Sequence, residues 1–88
     1  MLLSETTKLM ESDKWEDRLA AEYCQLMIRI RGLKTVFETN NFRQIDAETA
    51  REQLDAMTKY SNILWWRICD LDLYYKYEKL FHKVFMMK

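Results

Sequence analysis

A single glycine, Gly32, and the absence of proline constrain this 88-residue chain more than any other feature. Glycine and proline end helices and form tight turns, so a sequence almost without them favours long helices joined by few connections. Hydrophobic residues make up 49% of the chain, which is ample for the core of one small domain. The sequence therefore predicts an all-α fold in a single domain over residues 1–88.

Helical periodicity divides the chain into a short helix and two longer ones. The three helices are predicted at about residues 5–10, 13–38 and 47–85. Ser12 and Asp46 are good N-capping residues for the second and third helices. The intervening Asn40–Gln44 segment is predicted to be the connection, because asparagine favours turns.

Both longer helices have apolar residues that alternate at spacings of four and three, which is typical of helices packed along a partner helix. In the second helix these residues are Leu19, Tyr23, Leu26, Ile30, Leu33 and Phe37. In the third helix they are Ala50, Leu54, Met57, Ser61, Leu64, Ile68, Leu71 and Tyr75. The two seams, joined by a short connection, predict an antiparallel αα-hairpin.

The predicted lengths of the two long helices do not match. At ~1.5 Å per residue the second helix spans ~39 Å and the third ~60 Å, so the end of the third helix is expected to overhang. The overhang is apolar on more than one side, and its apolar residues are Leu73, Tyr74, Tyr75, Tyr77, Leu80, Phe81, Val84 and Phe85. Because one hairpin cannot cover all these sides, the pattern predicts a homo-oligomer.

Charge and cysteine content exclude several classes of partner and location. Lysine plus arginine equals aspartate plus glutamate, so a polymeric nucleic acid is a poor candidate partner. No segment approaches the ~18 consecutive apolar residues of a membrane span. Cys24 and Cys69 follow no metal-binding spacing, and without a signal peptide they are interpreted as free buried thiols in a reducing cytosol. Neither a metal nor a cofactor is expected.

Catalysis finds little support in the sequence, and no catalytic residue is predicted. The one histidine, His82, lies near the predicted end of a helix, where a structural or interface role is favoured. Nucleophile–histidine arrangements and glycine-rich phosphate loops are missing from the sequence. The carboxylates Glu48, Glu52, Asp55, Asp70 and Asp72 are predicted to lie on solvated helix faces.

Arginine, lysine and tryptophan residues are the candidate ligand-binding groups. Arg18 and Arg29 share a polar helix face with Glu22 and Gln25, whereas Arg31 and Lys34 flank the seam. Such cations either extend along the apolar surface into water or, in an assembly, line a cleft that clamps a phosphate. Adjacent Trp65 and Trp66 point ~100° apart, so the core is expected to absorb one of them. The candidate binding residues are Trp15, Arg18, Arg29, Arg31, Lys34, Trp65 and Arg67; aromatic residues as oligomer contacts are an equally weighted alternative.

Short segments of both long helices carry a resemblance to a known family. They are Trp15–Leu19, Glu22–Leu26, Arg29–Ile30, Leu33–Lys34, Glu52–Met57, Tyr60, Asn62–Leu64 and Arg67–Ile68. Together they resemble a helical-hairpin family of tailed phages, the anti-CBASS sponges for cyclic oligonucleotides. The resemblance covers roughly residues 14–70 and leaves out the N-terminal helix and the aromatic tail.

This resemblance implies a protein of the host cytoplasm that sequesters cyclic di- and trinucleotide second messengers, such as 3′,3′-cGAMP, without cleaving them. It also implies a homohexamer with ligands between protomers, and a block of CBASS immunity. Two alternatives stay open at this point. One is a small oligomeric helical adaptor that binds and inhibits a host protein, and the other is a structural subunit of a phage.

Overall fold

The computed structural model describes residues 2–39 and 44–87, and these residues form an all-α fold, as the sequence predicts. The helices are α1 (Leu2–Met10), α2 (Trp15–Glu38), α3 (Gln44–Asp70) and α4 (Glu78–Phe85), with a 3-10 turn at Tyr75–Tyr77 before α4. Most of the connection predicted at Asn40–Gln44 lies outside the described residues. None of the described helices combines the length and apolarity needed to cross a membrane.

The predicted hairpin is present, and α2 packs along α3. Leu19, Tyr23, Leu26 and Ile30 of α2 form one buried cluster with Leu64 and Ile68 of α3, and Ala50 and Ser61 of α3 are buried as well. The seam then stops, because Leu71 is about half exposed and Tyr75 lies largely in solvent. The 4-3 spacing therefore identifies the hairpin contacts as far as Ile68 and fails beyond it.

The prediction of one helix over residues 47–85 is wrong, because α3 ends at Asp70. Asp72 has a φ of 56°, which is the left-handed conformation, and the chain turns back there. The longest extent of the described chain is 42 Å, well short of the ~60 Å expected for a structure with a straight terminal helix. The aromatic tail consequently folds onto the hairpin instead of projecting from it.

Two backbone hydrogen bonds form the turn that ends α3. The Leu73 N–H donates to the Ile68 carbonyl at 2.9 Å, and the Asp72 N–H donates to the Cys69 carbonyl at 3.1 Å. This is the Schellman arrangement, in which a left-handed residue satisfies the last carbonyls of a helix. Leu73 also packs against the core, as the motif requires of the residue after the left-handed position. Aspartate is one of the few non-glycine residues that tolerates this conformation.

Asp72→Gly is expected to raise the free energy of unfolding by up to ~1 kcal/mol, because glycine has no Cβ to penalise a positive φ. Asp55→Gly is the matched control, since Asp55 is exposed in the interior of α3; there glycine is expected to be slightly destabilising, because its helix propensity is lower than that of aspartate. Urea denaturation followed by circular dichroism measures both. Equal destabilisation by the two substitutions would contradict a left-handed turn at residue 72.

Burial of the tail supplies the free energy that favours this turn. Phe81 and Val84 have no solvent exposure, and α4 packs against α2 and α1. Arg31 fixes the end of α4, because its guanidinium donates to the carbonyl oxygens of Met87 at 2.5 Å and Phe85 at 3.1 Å. Since Tyr77, Phe81 and Val84 of the tail are buried within one chain, the projecting apolar overhang that predicted a homo-oligomer does not exist, although Tyr75 and Phe85 stay exposed.

Two side-chain hydrogen bonds to Asp17, which we call the latch, join the segment between α1 and α2 to the tail. The hydroxyls of Ser12 and Tyr77 both donate to the carboxylate of Asp17, so Ser12 contacts the first turn of α2 without occupying the N-cap position, which Lys14 holds. The hydrogen bond from Tyr77, followed by that from Ser12, lowers the pKa of Asp17 below 3.8. The ionised form of Asp17 therefore stabilises the fold.

The latch predicts a dependence of stability on pH. A carboxyl whose pKa is lower in the folded state stabilises the protein above its unfolded pKa of about 3.9, and this contribution is lost as the pH falls through the folded value. Asp17→Asn should therefore be less stable than the wild type at pH 7, with a difference that shrinks below about pH 4. Urea titrations at neutral and acidic pH measure this; a difference that is constant with pH would contradict it.

The two cysteines differ in their surroundings. Cys24 is a free thiol in the core, where burial raises its pKa to about 12. Cys69 is also free but exposed, so the interpretation of both thiols as buried is wrong. Cys69 follows Ile68 directly, and a step of ~100° around the helix moves it off the buried face.

Candidate ligand-binding site

A surface cavity of about 520 Å³ lies where α1, α2 and α3 meet, and its volume is typical of small-molecule sites. We call it the arginine cavity. Its lining residues are Met10, Trp15, Arg18, Leu19, Glu22, Gln25, Arg29 and Arg67. Four of the seven predicted binding residues are brought together here, namely Trp15, Arg18, Arg29 and Arg67.

Helical spacing explains why α2 contributes most of the lining. Arg18, Glu22, Gln25 and Arg29 follow one another at intervals of four, three and four residues, which places them on one face of a helix. This is the polar face that the sequence predicts, and in the structure it is left open between α1 and α3. Arg67 reaches the cavity from the last turn of α3.

Hydrogen bonds hold the walls of the cavity in place. Arg18 donates from Nη1 to the Ser12 carbonyl at 2.8 Å, which fixes one edge of its guanidinium. The Tyr60 hydroxyl donates to Oε1 of Glu22, and this hydrogen bond raises the pKa of Tyr60. Gln25 donates to the hydroxyl of buried Thr6 at 3.3 Å and so connects α2 to α1. The cavity is therefore largely formed before any ligand arrives.

The arginine cavity is positive although the chain as a whole is neutral. Three guanidinium groups face one carboxylate, which gives the lining a net charge of +2. All three arginines are exposed, and Trp15 at the start of α2 has 48% of its surface in solvent. Guanidinium groups donate in a fork that matches phosphate oxygens, and a free indole face can stack on a base.

The other three predicted binding residues lie elsewhere. Arg31 is bound to the carbonyl oxygens at the end of α4, and Lys34 is exposed on α2 away from the cavity lining. Trp65 packs in an aromatic cluster, with ring centroids 5.2 Å from Tyr23 and 5.5 Å from Phe81. As expected, one tryptophan of the pair is packed and the other is not, since Trp66 is 66% exposed.

Sequence reasoning missed two kinds of lining residue. Glu22 and Gln25 were detectable, because they share the spacing of the two arginines on the polar face. Met10 was not, because its place in the wall depends on how α1 docks against α2. Leu19 was assigned to the hairpin seam, and it serves both the core and the floor of the cavity.

The residues considered for catalysis either contact another side chain of the fold or lie on the surface. His82 lies in the last turn of α4, where its Nε2 is 3.1 Å from the Tyr74 hydroxyl. The carboxylates Glu48, Glu52, Asp55, Asp70 and Asp72 are all exposed, as predicted, although Asp72 lies in the turn after α3 and not on a helix face. Within the described ranges, no cluster of histidine, cysteine, aspartate or glutamate residues could hold a metal ion.

The fold and the cavity define a small all-α protein with a preformed cationic site on its central hairpin. The family model for Sequestin matches residues 13–70, and the chain belongs to this phage protein family. Membership suggests sequestration of a signalling molecule and implies binding rather than catalysis. No curated protein and no solved structure matches the chain. The match contains α2 and α3, and α1 and the tail lie outside it.

Proposed function

We propose that this chain is a phage anti-defence protein that captures cyclic di- and trinucleotide second messengers, such as 3′,3′-cGAMP, in the arginine cavity. By holding the messenger without cleaving it, the protein deprives the host effector of its signal in the host cytoplasm and blocks CBASS immunity. The observation that carries the proposal is a cavity of net charge +2, with an accessible tryptophan at its edge, in a chain of the Sequestin family.

The chemistry of the cavity complements that of a cyclic dinucleotide. Such a ligand has two negative phosphates and two flat bases, and the lining offers a matching net charge of +2. Arg18, Arg29 and Arg67 supply fork-shaped donors for the phosphates. Trp15 supplies a ring on which a base can stack, at ~1–3 kcal/mol per base. Because hydrogen bonds already fix Arg18, Glu22 and Gln25, little ordering accompanies binding, which favours tight capture.

The groups that line the cavity support capture without cleavage. An arginine stays protonated at neutral pH and therefore cannot serve as a general base. The lining contains a single carboxylate, Glu22, and Tyr60 already donates to it. Among the described residues, no cluster of metal-ligating side chains lies beside the cavity to activate a water against a bound phosphodiester.

A homo-oligomer, with six chains as the expected number, is part of the proposal. Its support is now the outer face of α3, where Tyr60, Ile63 and Trp66 are spaced by three residues and are 43–66% exposed. Exposed apolar residues that recur along a helix are typical of a surface that another chain covers. Native mass spectrometry of the purified protein reports the number of subunits and any nucleotide that copurifies. A monomer at micromolar concentration would reject the oligomer.

Isothermal titration calorimetry with 3′,3′-cGAMP tests the function. We expect tight, saturable binding with one ligand per chain, because each chain has its own arginine cavity, and intact ligand after the protein is denatured. A linear dinucleotide of the same bases is the control, and it should bind more weakly because its phosphates are not held in a ring. If a linear product appears after binding, the protein is a hydrolase and the proposal of capture without cleavage is rejected.

The exposed face of α3 also favours a second candidate, a small helical adaptor that inhibits a host protein through this surface. Ile63 and Trp66 would then contact the foreign chain instead of a sister subunit. The adaptor predicts no heat with any cyclic di- or trinucleotide. A structural subunit of the phage, the third candidate, predicts large open assemblies in the same mass spectrometry measurement.

A further inference from the structure

A second concave surface lies between α1 and the tail, and neither the family match nor the proposed function uses it. It encloses about 690 Å³, and we call it the lysine groove. Its lining residues are Glu5, Lys8, Leu9, residues 75–80 and Lys83. Leu9 and Leu80 are half-buried and Tyr77 is buried, so these three residues form an apolar floor. The tail forms this surface only because the chain turns back at Asp72.

The lysine groove is positively charged, although the net charge of the whole chain is zero. Lys8, Lys76, Lys79 and Lys83 face Glu5 and Glu78, which gives a net charge of +2. Like charges that lie in one groove repel one another, and a bound anion reduces this electrostatic repulsion.

Two of the four lysines are already paired. Lys83 donates to both carboxylate oxygens of Glu5, at 2.9 and 3.1 Å, and this hydrogen bond lowers the pKa of Glu5. Lys76 lies 3.9 Å from the Glu16 carboxylate and 5.5 Å from the centre of the Tyr77 ring. Lys8 and Lys79 are exposed and have no carboxylate within ion-pair distance in residues 2–39 and 44–87. Their ammonium groups are available to a ligand.

We infer that the lysine groove binds the phosphate chain of a small, multiply charged compound, namely a linear nucleoside polyphosphate. The volume of the groove lies within the 300–1,000 Å³ range of small-molecule sites. The elements that flank it, α1 and α4, have only nine and eight residues, so each is too short to seat a long macromolecular segment. Ammonium groups on flexible stems suit a flexible phosphate chain, and Tyr75 at the edge, 76% exposed, offers a ring to a base.

Calorimetry at low salt with inorganic triphosphate and with ATP tests the site. Both should give saturable binding, and ATP should bind more tightly because its base stacks on Tyr75; in Tyr75→Ala the two probes should bind alike. The double variant Lys8→Ala/Lys79→Ala should weaken binding of both probes about tenfold, because two attractive charges are lost. Lys59→Ala is the matched control, since Lys59 is exposed on α3 outside the groove, and it should bind like the wild type.

Glu5→Gln gives the sharper test, because binding should improve. The substitution removes a negative charge from the groove and releases Lys83, so triphosphate should bind several-fold more tightly. Arg29→Glu in the arginine cavity should weaken triphosphate binding by a few-fold at most, through the overall charge alone, which separates this site from the proposed messenger site. The inference is overturned if neither probe gives saturable heat, or if the double lysine variant binds like Lys59→Ala.

Discussion

Replacing Phe81 with alanine is expected to lower the free energy of unfolding by about 3–5 kcal/mol. Phe81 has no exposed surface and is the largest fully buried side chain among the residues that the structure describes. Its ring meets Trp65 at 5.5 Å, Tyr23 at 5.8 Å and Tyr74 at 5.9 Å between ring centroids. These rings come from α2, α3 and the tail, so the substitution leaves a cavity where three parts of the chain meet. Such a loss is large against the 5–15 kcal/mol of a typical domain.

Urea denaturation followed by far-ultraviolet circular dichroism measures this effect, and Trp66→Ala is the control. Trp66 is also a large aromatic residue on the hairpin, but it is mostly exposed, so its truncation should change the stability by no more than about 0.5 kcal/mol. If the protein oligomerises, both variants are compared at dilutions at which it is monomeric, because Trp66 lies on the proposed contact face and association adds to the apparent stability. Similar losses in both variants would mean that the tail is not docked on the hairpin.

The contrast between Phe81 and Trp66 shows how far sequence periodicity describes this fold. Residues that repeat along one helix face reveal the neighbour on that face, which is why the seam from Leu19 to Ile68 is predictable. The same periodicity continues through Leu71 and Tyr75, although both are exposed and α3 has ended. A Schellman turn at an aspartate needs neither glycine nor proline, so no local signal marks the break. Burial of Phe81 and Val84, a long-range effect, selects the turn.

The predicted binding residues show the same difference between local and long-range relations. Arg18 and Arg29 share a cavity because they share a helix face, and this local relation is visible in the sequence. Arg31 lies only two residues from Arg29, yet it binds the last carbonyls of α4, because the turn at Asp72 brings that helix beside α2. The sequence places Arg31 beside the seam, but it does not reveal that the end of α4 is its partner. Residues whose partners depend on the docked tail could not be assigned from the sequence.

Charge reversal in the arginine cavity is expected to have the largest effect on messenger binding. Arg29→Glu replaces a phosphate donor with a carboxylate and changes the net charge of the lining from +2 to zero. A charge-assisted hydrogen bond contributes about 1.5–3 kcal/mol, and repulsion from the new carboxylate adds to its loss. We therefore expect the affinity for 3′,3′-cGAMP to fall at least about 100-fold, which corresponds to ~3 kcal/mol. Arg29 is exposed, so the fold should be preserved, and circular dichroism checks this.

Lys34→Glu provides the matched control, because it makes the same change of charge on an exposed position of the same helix outside the cavity. It alters the overall field of the protein by the same amount but removes no cavity donor, so its affinity should fall by a few-fold at most. Calorimetry at two salt concentrations compares the variants. Equal losses would indicate general electrostatic attraction instead of a site at Arg29. Unchanged binding in Arg29→Glu would remove the arginine cavity from the proposed function, because the phosphates must then be held by other cations.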